Sequence, residues 1–280
     1  MTNFVAEFTI RDTASAEDGK SRRHFLGTAA AVVGGALGLG GTASPSASAS
    51  VPPGQGNPQR HWGMVIDLRR CVACRACVVS CKNENKTPPS LSYNRFIEED
   101  TGEFPLLRHV GITQPCMHCE KPSCLESCPA EAIYKRADGL VVVDYENCAG
   151  AQECVKACPY QAIHFDEGHN YIQDSANAFN SIPSSEFGAA FGVRAKDRSP
   201  IGNARKCTFC LHLQDENGEY REPTACTRTC MGRAIHFGDL KDPEATCVAH
   251  GEKMQELLAH RAHFRLKEEL PNHPTVYYLK

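Results

Sequence analysis

Apolar positions in this chain come in short runs rather than in long amphipathic stretches. The runs at 62–67 and 139–144 predict buried β-strands, and a further strand is expected near 105–112. Near the end of the chain the pattern predicts a helix over 252–266, and an apolar run follows at 275–279. We therefore expect an α+β protein built from small elements.

Cysteine is the compositional outlier, with 16 residues in 280, and all except Cys247 fall into four spaced groups. The first group is C-x2-C-x2-C-x3-C and the second is C-x2-C-x4-C-x3-C. The third reads as C-x2-C-x2-C-x3-C with Ala151 in place of its second cysteine, and the fourth is C-x2-C-x15-C-x3-C. In chain order the groups are Cys71, Cys74, Cys77 and Cys81; Cys116, Cys119, Cys124 and Cys128; Cys148, Cys154 and Cys158; and Cys207, Cys210, Cys226 and Cys230.

This regular spacing favours metal ligation over a disulfide framework, which would not require it. Zinc is the rival metal, because paired C-x2-C groups also build tetrahedral zinc sites. In two-cluster ferredoxins one loop gives three thiolates to a cubane, and the cysteine three residues later reaches the other cluster of the pair. The spacing therefore predicts iron–sulfur clusters, with a structural zinc protein as the alternative.

An internal repeat accompanies the cysteines. The pattern Cys-x3-Ala-Ile, followed by tyrosine or histidine, begins at Cys128, at Cys158 and at Cys230. In each copy we expect a short helix to end just past the cysteine and a strand to begin at the isoleucine. This is the supersecondary unit of a two-cluster ferredoxin, repeated along the chain.

The N-terminal segment is typical of an export signal. Arg22 and Arg23 are followed by Phe-Leu, by a Gly/Ala-rich run and by a small-x-small pattern that ends at Ala49. These features predict a twin-arginine signal over 1–49, with a membrane anchor as the alternative. Twin-arginine export carries folded proteins, so periplasmic delivery by this route also favours metal-occupied thiolates over disulfides.

Charge and motifs exclude several function classes. The net charge of −3 at pH 7 and the lack of a long basic block give no indication of nucleic-acid binding. No zinc-protease, nucleotide-binding or nucleophile-elbow motif occurs, so the chain offers no catalytic site of its own. No strongly apolar stretch of about 20 residues follows residue 45, so no membrane span is expected after the signal is removed.

In the order and spacing of its four groups, the chain resembles the iron–sulfur subunits of the molybdopterin oxidoreductase (DMSO reductase) family. The segments Asp67-Leu-Arg-Arg-Cys71, Lys206-Cys-Thr-Phe-Cys210 and Gly238-Asp-Leu-Lys-Asp-Pro243 look most like the tetrathionate reductase type. The resemblance implies a duplicated, bacterial-type two-cluster ferredoxin fold with inserted loops. Its first half would be 60–82 with 205–240 and its second half 112–166, after a linker at 50–60. Insertions at 83–111 and 167–204 and a tail with a helix at 241–280 complete the division.

The resemblance also implies how the cysteines pair into ligand sets, which we number one to four. These sets are Cys71, Cys74, Cys77 and Cys230; Cys81, Cys207, Cys210 and Cys226; Cys116, Cys119, Cys124 and Cys158; and Cys128, Cys148 and Cys154. The first three would each hold a [4Fe–4S] cluster. The fourth has three thiolates and suits a [3Fe–4S] cluster, although a [4Fe–4S] cluster with an open iron, or a lost site, are the alternatives at Ala151.

By the same resemblance, the protein would relay electrons between a polytopic quinone-reactive membrane subunit and a catalytic molybdopterin subunit of a respiratory oxidoreductase. It would be periplasmic and held at the membrane by its partner. The alternative is an equivalent relay in a sulfite-reduction-type transmembrane complex or a hydrogenase. The genes beside this one would separate the two.

Other residues have competing interpretations. Six cations lie beside cysteine groups, where they either tune the clusters or form ordinary solvated surface: Arg69, Arg70, Arg75, Lys82, Arg205 and Lys206. We expect His118 to pack or hydrogen-bond near a sulfur rather than ligate iron. We expect Trp62 and Cys247 to be core residues, although Cys247 could in principle reach an open iron.

Overall fold

The computed structural model describes residues 56–85, 87, 90–167 and 202–280. The predicted export signal, half of the linker and most of the 167–204 insertion lie outside these residues. The described helices are α1 Ala76–Asn85, α2 Ser123–Glu126, α3 Glu153–Ala157, α4 Ala225–Arg228 and α5 Met254–Ala259, with a 3-10 turn at Leu211–Leu213. The described strands are β1 Trp62–Asp67, β2 Arg95–Thr101, β3 Arg108–Gln114, β4 Ile133–Lys135, β5 Val141–Val143, β6 Ile163–Phe165, β7 Ala204–Lys206, β8 Ile235–Asp239, β9 His263–Phe264 and β10 Val276–Leu279.

The largest described sheet has the strand order β8-β1-β10-β9. Strand β1 is antiparallel to β8 and parallel to β10, so the end of the chain pairs with its first described strand. Met64 and Ile66 lie in the main core, whereas Val65 packs with Met254 and Leu279 in a smaller cluster on the other face. Because both faces are covered, all of β1 is buried, and its residues from Trp62 to Ile66 are apolar without alternation.

The remaining strands form three antiparallel ribbons: β2 with β3, β4 with β5, and β6 with β7. Strands β4, β6 and β8 begin at Ile133, Ile163 and Ile235, so the predicted strand starts in the three repeats are confirmed. The helices between the ribbons meet in pairs, α1 with α4 and α2 with α3. Groups one and four thus lie together, as do groups two and three.

Three predictions about element boundaries need correction. The helix expected over 252–266 is wrong in its second half, because α5 ends at Ala259 and Phe264 pairs with Tyr278 in the sheet. The short helices of the repeats end one or two residues before the last cysteine, not past it. The strand expected near 105–112 is β3, shifted to Arg108–Gln114, and its partner β2 was not anticipated.

Candidate metal centres

Two cavities are each lined by four cysteines. One is bordered by Cys71, Cys74, Cys77 and Cys230, the members expected in set one. The other is bordered by Cys116, Cys119, Cys124 and Cys158, the members expected in set three. Neither cavity has a histidine or a carboxylate among its described lining residues, so sulfur is the candidate donor in both.

The cysteines of sets two and four are also brought together. Burial holds the pKa of the Cys81 thiol well above its usual range, and Cys207, Cys210 and Cys226 raise it further. Burial raises the pKa of Cys154 to about 11, with added contributions from Cys128 and Cys148. The thiols that act on Cys81 and on Cys154 are therefore members of the same expected sets.

Neighbouring sets lie close enough for a thiol of one set to change the pKa of a thiol in the next. Cys226 of set two raises the pKa of Cys77 in set one, after burial, which raises it most. Burial, and then Cys116 of set three, raises the pKa of Cys207 in set two. Burial also raises the pKa of Cys124 in set three most, and Cys154 of set four raises it further. The spatial order is therefore one, two, three, four.

Local backbone geometry turns the loops around the thiols. Non-glycine residues with positive φ occur in all four cysteine loops: Ala73, Arg75, His118, Gln152, Phe209 and Cys210. The three repeats share a second feature. The residue before the repeated alanine has a positive φ, which lets the backbone N–H of Ala132, Ala162 and Ala234 donate to the sulfur of Cys128, Cys158 and Cys230, at 3.3, 3.4 and 3.2 Å.

Ala151 lies in the loop before α3 and is exposed. Its methyl group offers no ligand atom, and the next residue, Gln152, has φ 61° and caps α3 in a left-handed conformation. The backbone therefore makes the ligand loop although the second cysteine is missing. Set four offers three sulfurs where sets one to three each offer four.

These sites fit iron–sulfur clusters. The donors are sulfur alone, most of the thiols are buried, and the cavity of set three has Val141 and Ile163 in its wall. Burial and neighbouring thiols raise the pKa of Cys119, so protonated sulfur is favoured there unless a positive charge compensates. A bound cluster would supply the positive charge that lets such thiols bind as thiolates. Within the described chain, no three His, Cys, Asp or Glu side chains lie close enough together for a single metal ion.

Of the six cations beside cysteine groups, Lys206 has its ammonium within hydrogen-bond distance of a cysteine sulfur in the described structure, at 3.5 Å from Cys116. The other five have different partners. Arg69 and Arg70 pair with Asp67, Arg75 with Glu98 and Arg205 with Asp166, and Lys82 donates to the carbonyl of Leu91.

Polar side chains near the sulfurs were not anticipated from the sequence. The amide of Asn85 donates to the sulfur of Cys81 at 3.4 Å. The hydroxyl of Thr113 lies 3.4 Å from the sulfur of Cys77, and the hydroxyl of Thr224 lies 3.4 Å from the sulfur of Cys226. Asn85 follows Cys81 by four residues on α1, a spacing that places both side chains on one helix face. That signal was available in the sequence, whereas the threonine contacts depend on folding.

The three remaining residues are buried. His118 accepts a hydrogen bond from the backbone N–H of Val141 at 3.0 Å and packs against the ring of Phe209. Trp62 is buried and stacks on Phe237. Cys247 is 1% exposed and belongs to the smaller core cluster, so its core assignment is confirmed. In the described part of the chain, every helix is too short or too polar to cross a membrane.

Comparison with known proteins is consistent with this geometry. A family described as a 4Fe-4S dicluster domain matches residues 108–182. A selenate reductase subunit from Mesobacillus selenatarsenatis is 43% identical over 78% of this chain and 72% of its own length. The chain belongs to the iron–sulfur subunits of the molybdopterin oxidoreductase family.

Two further relatives extend the comparison. A tetrathionate reductase subunit from Salmonella typhimurium is 33% identical over 92% of this chain and 88% of its own length. The iron–sulfur cluster-binding subunit of a menaquinone reductase from Nitratidesulfovibrio vulgaris is 34% identical over 78% and 88%. The likeness to tetrathionate reductase that the motifs indicated is thus confirmed, and the selenate reductase subunit has a higher identity.

Proposed function

We propose that this chain is an exported subunit that relays electrons through four iron–sulfur clusters, between a quinone-reactive membrane subunit and a molybdopterin catalytic subunit of a respiratory oxidoreductase. The observation that carries the proposal is the linear order of the four thiol sets. A relay needs redox groups in sequence, each near the next, with no substrate pocket between them. The pairwise influence of Cys77 with Cys226, Cys116 with Cys207, and Cys124 with Cys154 supports that order.

We further propose a duplicated two-cluster ferredoxin fold. The pairing of α1 with α4 and of α2 with α3 supports this division. Each half also contains short segments with two cysteines four positions apart, and the two cysteines belong to neighbouring sets. On α1, for example, Cys77 belongs to set one and Cys81 to set two. Sets one to three would hold [4Fe–4S] clusters and set four, which lacks a ligand at Ala151, a [3Fe–4S] cluster.

When bound, such clusters take up and release single electrons. The chain's own residues hold them and set their surroundings. Val141 and Ile163 keep water from set three, while the N–H groups of Ala132, Ala162 and Ala234 place partial positive charge on ligand sulfurs. Hydrogen bonds to sulfur stabilise the more negative, reduced form and so raise the reduction potential.

The partners are proposed from the names of relatives, which are subunits of selenate, tetrathionate and menaquinone reductases. Export is proposed from Arg22, Arg23 and the small-residue run that follows. Replacing both arginines by lysine should leave the protein in the cytoplasm with its clusters loaded. Fractionation of cells that express the wild-type and the doubly substituted chain tests this, and unchanged periplasmic delivery would contradict it.

The decisive experiment is metal analysis with EPR on the anaerobically purified protein. We expect about 15 iron atoms per chain, from three four-iron clusters and one three-iron cluster, and an oxidised [3Fe–4S] signal that disappears on reduction. Zinc without iron, or the lack of a broad absorption band near 400 nm, would overturn the relay. Four ordinary [4Fe–4S] signals would overturn the assignment at set four alone.

A second candidate keeps the relay but changes the complex. The menaquinone reductase relative leaves this candidate open, because the name of that protein gives a quinone and no oxyanion substrate. The partner would then belong to a sulfite-reduction-type transmembrane complex or a hydrogenase. Purification of the intact complex, followed by molybdenum analysis, separates the two candidates.

A further inference from the structure

Lys206 is fully buried at the end of β7, next to Cys207. Its ammonium nitrogen donates to three acceptors: the sulfur of Cys116 at 3.5 Å, the carbonyl oxygen of Cys207 at 3.0 Å, and the carbonyl oxygen of Val141. An ammonium has three N–H donors, so these contacts match its full capacity. No carboxylate in the described part of the chain pairs with it. Lys206 is therefore a buried cation whose anionic neighbours would be cysteine thiolates.

The two cysteines that Lys206 contacts belong to different sets. Cys116 is in set three, and Cys207 is in set two. The positive charge also acts on other thiols, since it lowers the pKa of Cys124 and Cys158, although burial raises both. One side chain thus donates to a thiol of set three and to the backbone of a set-two cysteine. Burial raises the pKa of that set-two thiol, Cys207, and the charge of Lys206 acts against the rise.

The junction between these sets differs from the others. Sets one and two share the short segments Cys77–Cys81 and Cys226–Cys230, and sets three and four share Cys124–Cys128 and Cys154–Cys158. Sets two and three share no such segment. Their cysteines are linked instead through Lys206, which is bonded to Cys207 in the chain and hydrogen-bonded to Cys116.

We propose that Lys206 is the bridge for electrons between set two and set three, and that its charge raises the reduction potentials of both together. The inference rests on the proposed relay. In the step, one electron would pass from the cluster held by one set to the cluster held by the other, so that one cluster is oxidised as the other is reduced. The step transfers no proton, and no further reactant is needed. A cation between two anionic groups favours the added electron on either side.

The geometry supplies a short route. From the sulfur of Cys116, one hydrogen bond reaches the ammonium of Lys206 and a second reaches the carbonyl oxygen of Cys207. The route then follows the carbonyl, Cα and Cβ of Cys207 to its sulfur. Three acceptors in a buried site fix the position of the ammonium. The hydrogen bonds to Cys116 and Cys207 are therefore permanent features of the fold.

The test is EPR-monitored redox titration of the purified complex carrying Lys206→Met. Methionine is unbranched and apolar, so it fills the space without the charge. Two of the cluster midpoint potentials should fall together, each by at least a tenfold change in the reduction equilibrium, which is about 59 mV for one electron. The other two should stay in place. Unchanged potentials, or an equal shift of all four, would overturn the proposal.

Lys82→Met is the matched control. Lys82 directly follows Cys81 of set two, as Lys206 directly precedes Cys207 of the same set, but its ammonium donates to the carbonyl of Leu91. Its loss should leave the potential of set three unchanged. If Lys82→Met lowers two potentials as Lys206→Met does, a general loss of positive charge explains the effect and the bridge is refuted.

A measurement on the wild-type chain covers the case in which Lys206→Met does not load its clusters. Protein labelled with ¹⁵N-lysine should give a ¹⁵N coupling in pulsed EPR of the reduced set-three cluster, because the nitrogen lies 3.5 Å from a ligand sulfur. Absence of that coupling, with the cluster signal present, contradicts the bridge. Absence of the cluster signals themselves would instead contradict the relay, so the two failures are distinguishable.

Discussion

The ring of His118 stacks on the ring of Phe209, with centroids 4.0 Å apart, and so joins the loop of the second cysteine group to that of the fourth. Both side chains are buried, and the imidazole Nδ1 accepts a hydrogen bond from the backbone of Val141 at 3.0 Å. Burial, with the nearby charge of Lys206, holds the pKa of His118 well below its usual range. The histidine is thus a neutral support between two cluster loops.

His118→Leu should make cluster loss easier, because it leaves the Val141 N–H buried without an acceptor, at a cost of about 1–3 kcal/mol. His118→Asn is the matched control, since its amide oxygen can replace Nδ1 while the ring stack is lost. Visible absorption near 400 nm in increasing urea measures the effect. We expect the wild type to resist urea best, then the Asn variant, then the Leu variant. A Leu variant as resistant as Asn would show that the hydrogen bond is unimportant.

Ala151→Cys should restore the missing ligand of set four. The loop before α3 already has the ligand-loop backbone at Gln152, so the new thiol is expected to face the open corner. The oxidised [3Fe–4S] signal should disappear, the iron content should rise by about one atom per chain, and the potential of that cluster should fall.

Ala149→Cys is the control for this substitution, because it adds the same thiol to the same loop two residues earlier. It should leave the [3Fe–4S] signal intact. If both variants lose the signal, an added thiol in this loop is disruptive wherever it stands, and the ligand position of residue 151 is not supported.

Gly232→Ala should disturb set one. An added Cβ would lie 2.2 Å from the carbonyl oxygen of Arg70, and both residues border the cavity of that set. Because the contact is with backbone, the loop before Cys71 must move, at a cost of about 1–3 kcal/mol. EPR should show a changed signal for one cluster and unchanged signals for the others.

Ala130 occupies the same place in the first repeat, two residues after the last cysteine of its group. Ala130→Gly should therefore be tolerated, with a loss of stability of at most about 1 kcal/mol and unchanged EPR signals. Equal damage from the two variants would mean that the close approach to Arg70 is not the reason for glycine at position 232.

Much of this arrangement was predictable because its determinants are local. The strand starts at Ile133, Ile163 and Ile235 follow from a repeat of few residues, and the apolar run of β1 marks a strand buried on both faces. The cysteine spacing predicts tight ligand loops in the same way, since the ligands of one loop are close in sequence. Which loops share a set was implied by family resemblance rather than by spacing.

What the sequence did not predict depends on distant contacts. The second half of the predicted helix over 252–266 is drawn into a strand because Phe264 pairs with Tyr278, and no local signal marks that pairing. Lys206 could not be separated from Lys82 by sequence, since each stands beside a cysteine of the same set. The difference appears when β7 pairs with β6 and buries one of them.

Stability should fall in mild acid because of His236. It is fully buried in β8 with Nδ1 2.9 Å from Glu252, whose carboxylate is already paired with Arg70 at 3.0 Å. Burial, with the charges of His250 and Arg70, lowers the pKa of His236 to about 4, although Glu252 acts in the opposite direction.

The unfolded chain takes up this proton near pH 6.5, so the contribution to stability is present above about pH 6.5 and is lost as the pH falls towards 4. Between about pH 6.5 and pH 5 the wild type should lose about 1–2 kcal/mol from this group, because the slope reaches its full value of about 1.4 kcal/mol per pH unit only below pH 6.5. His236→Gln should flatten the pH dependence of the urea midpoint across that window, whereas His263→Gln, on the surface, should leave it as in the wild type. Parallel profiles for all three proteins would mean that other groups cause the acid sensitivity.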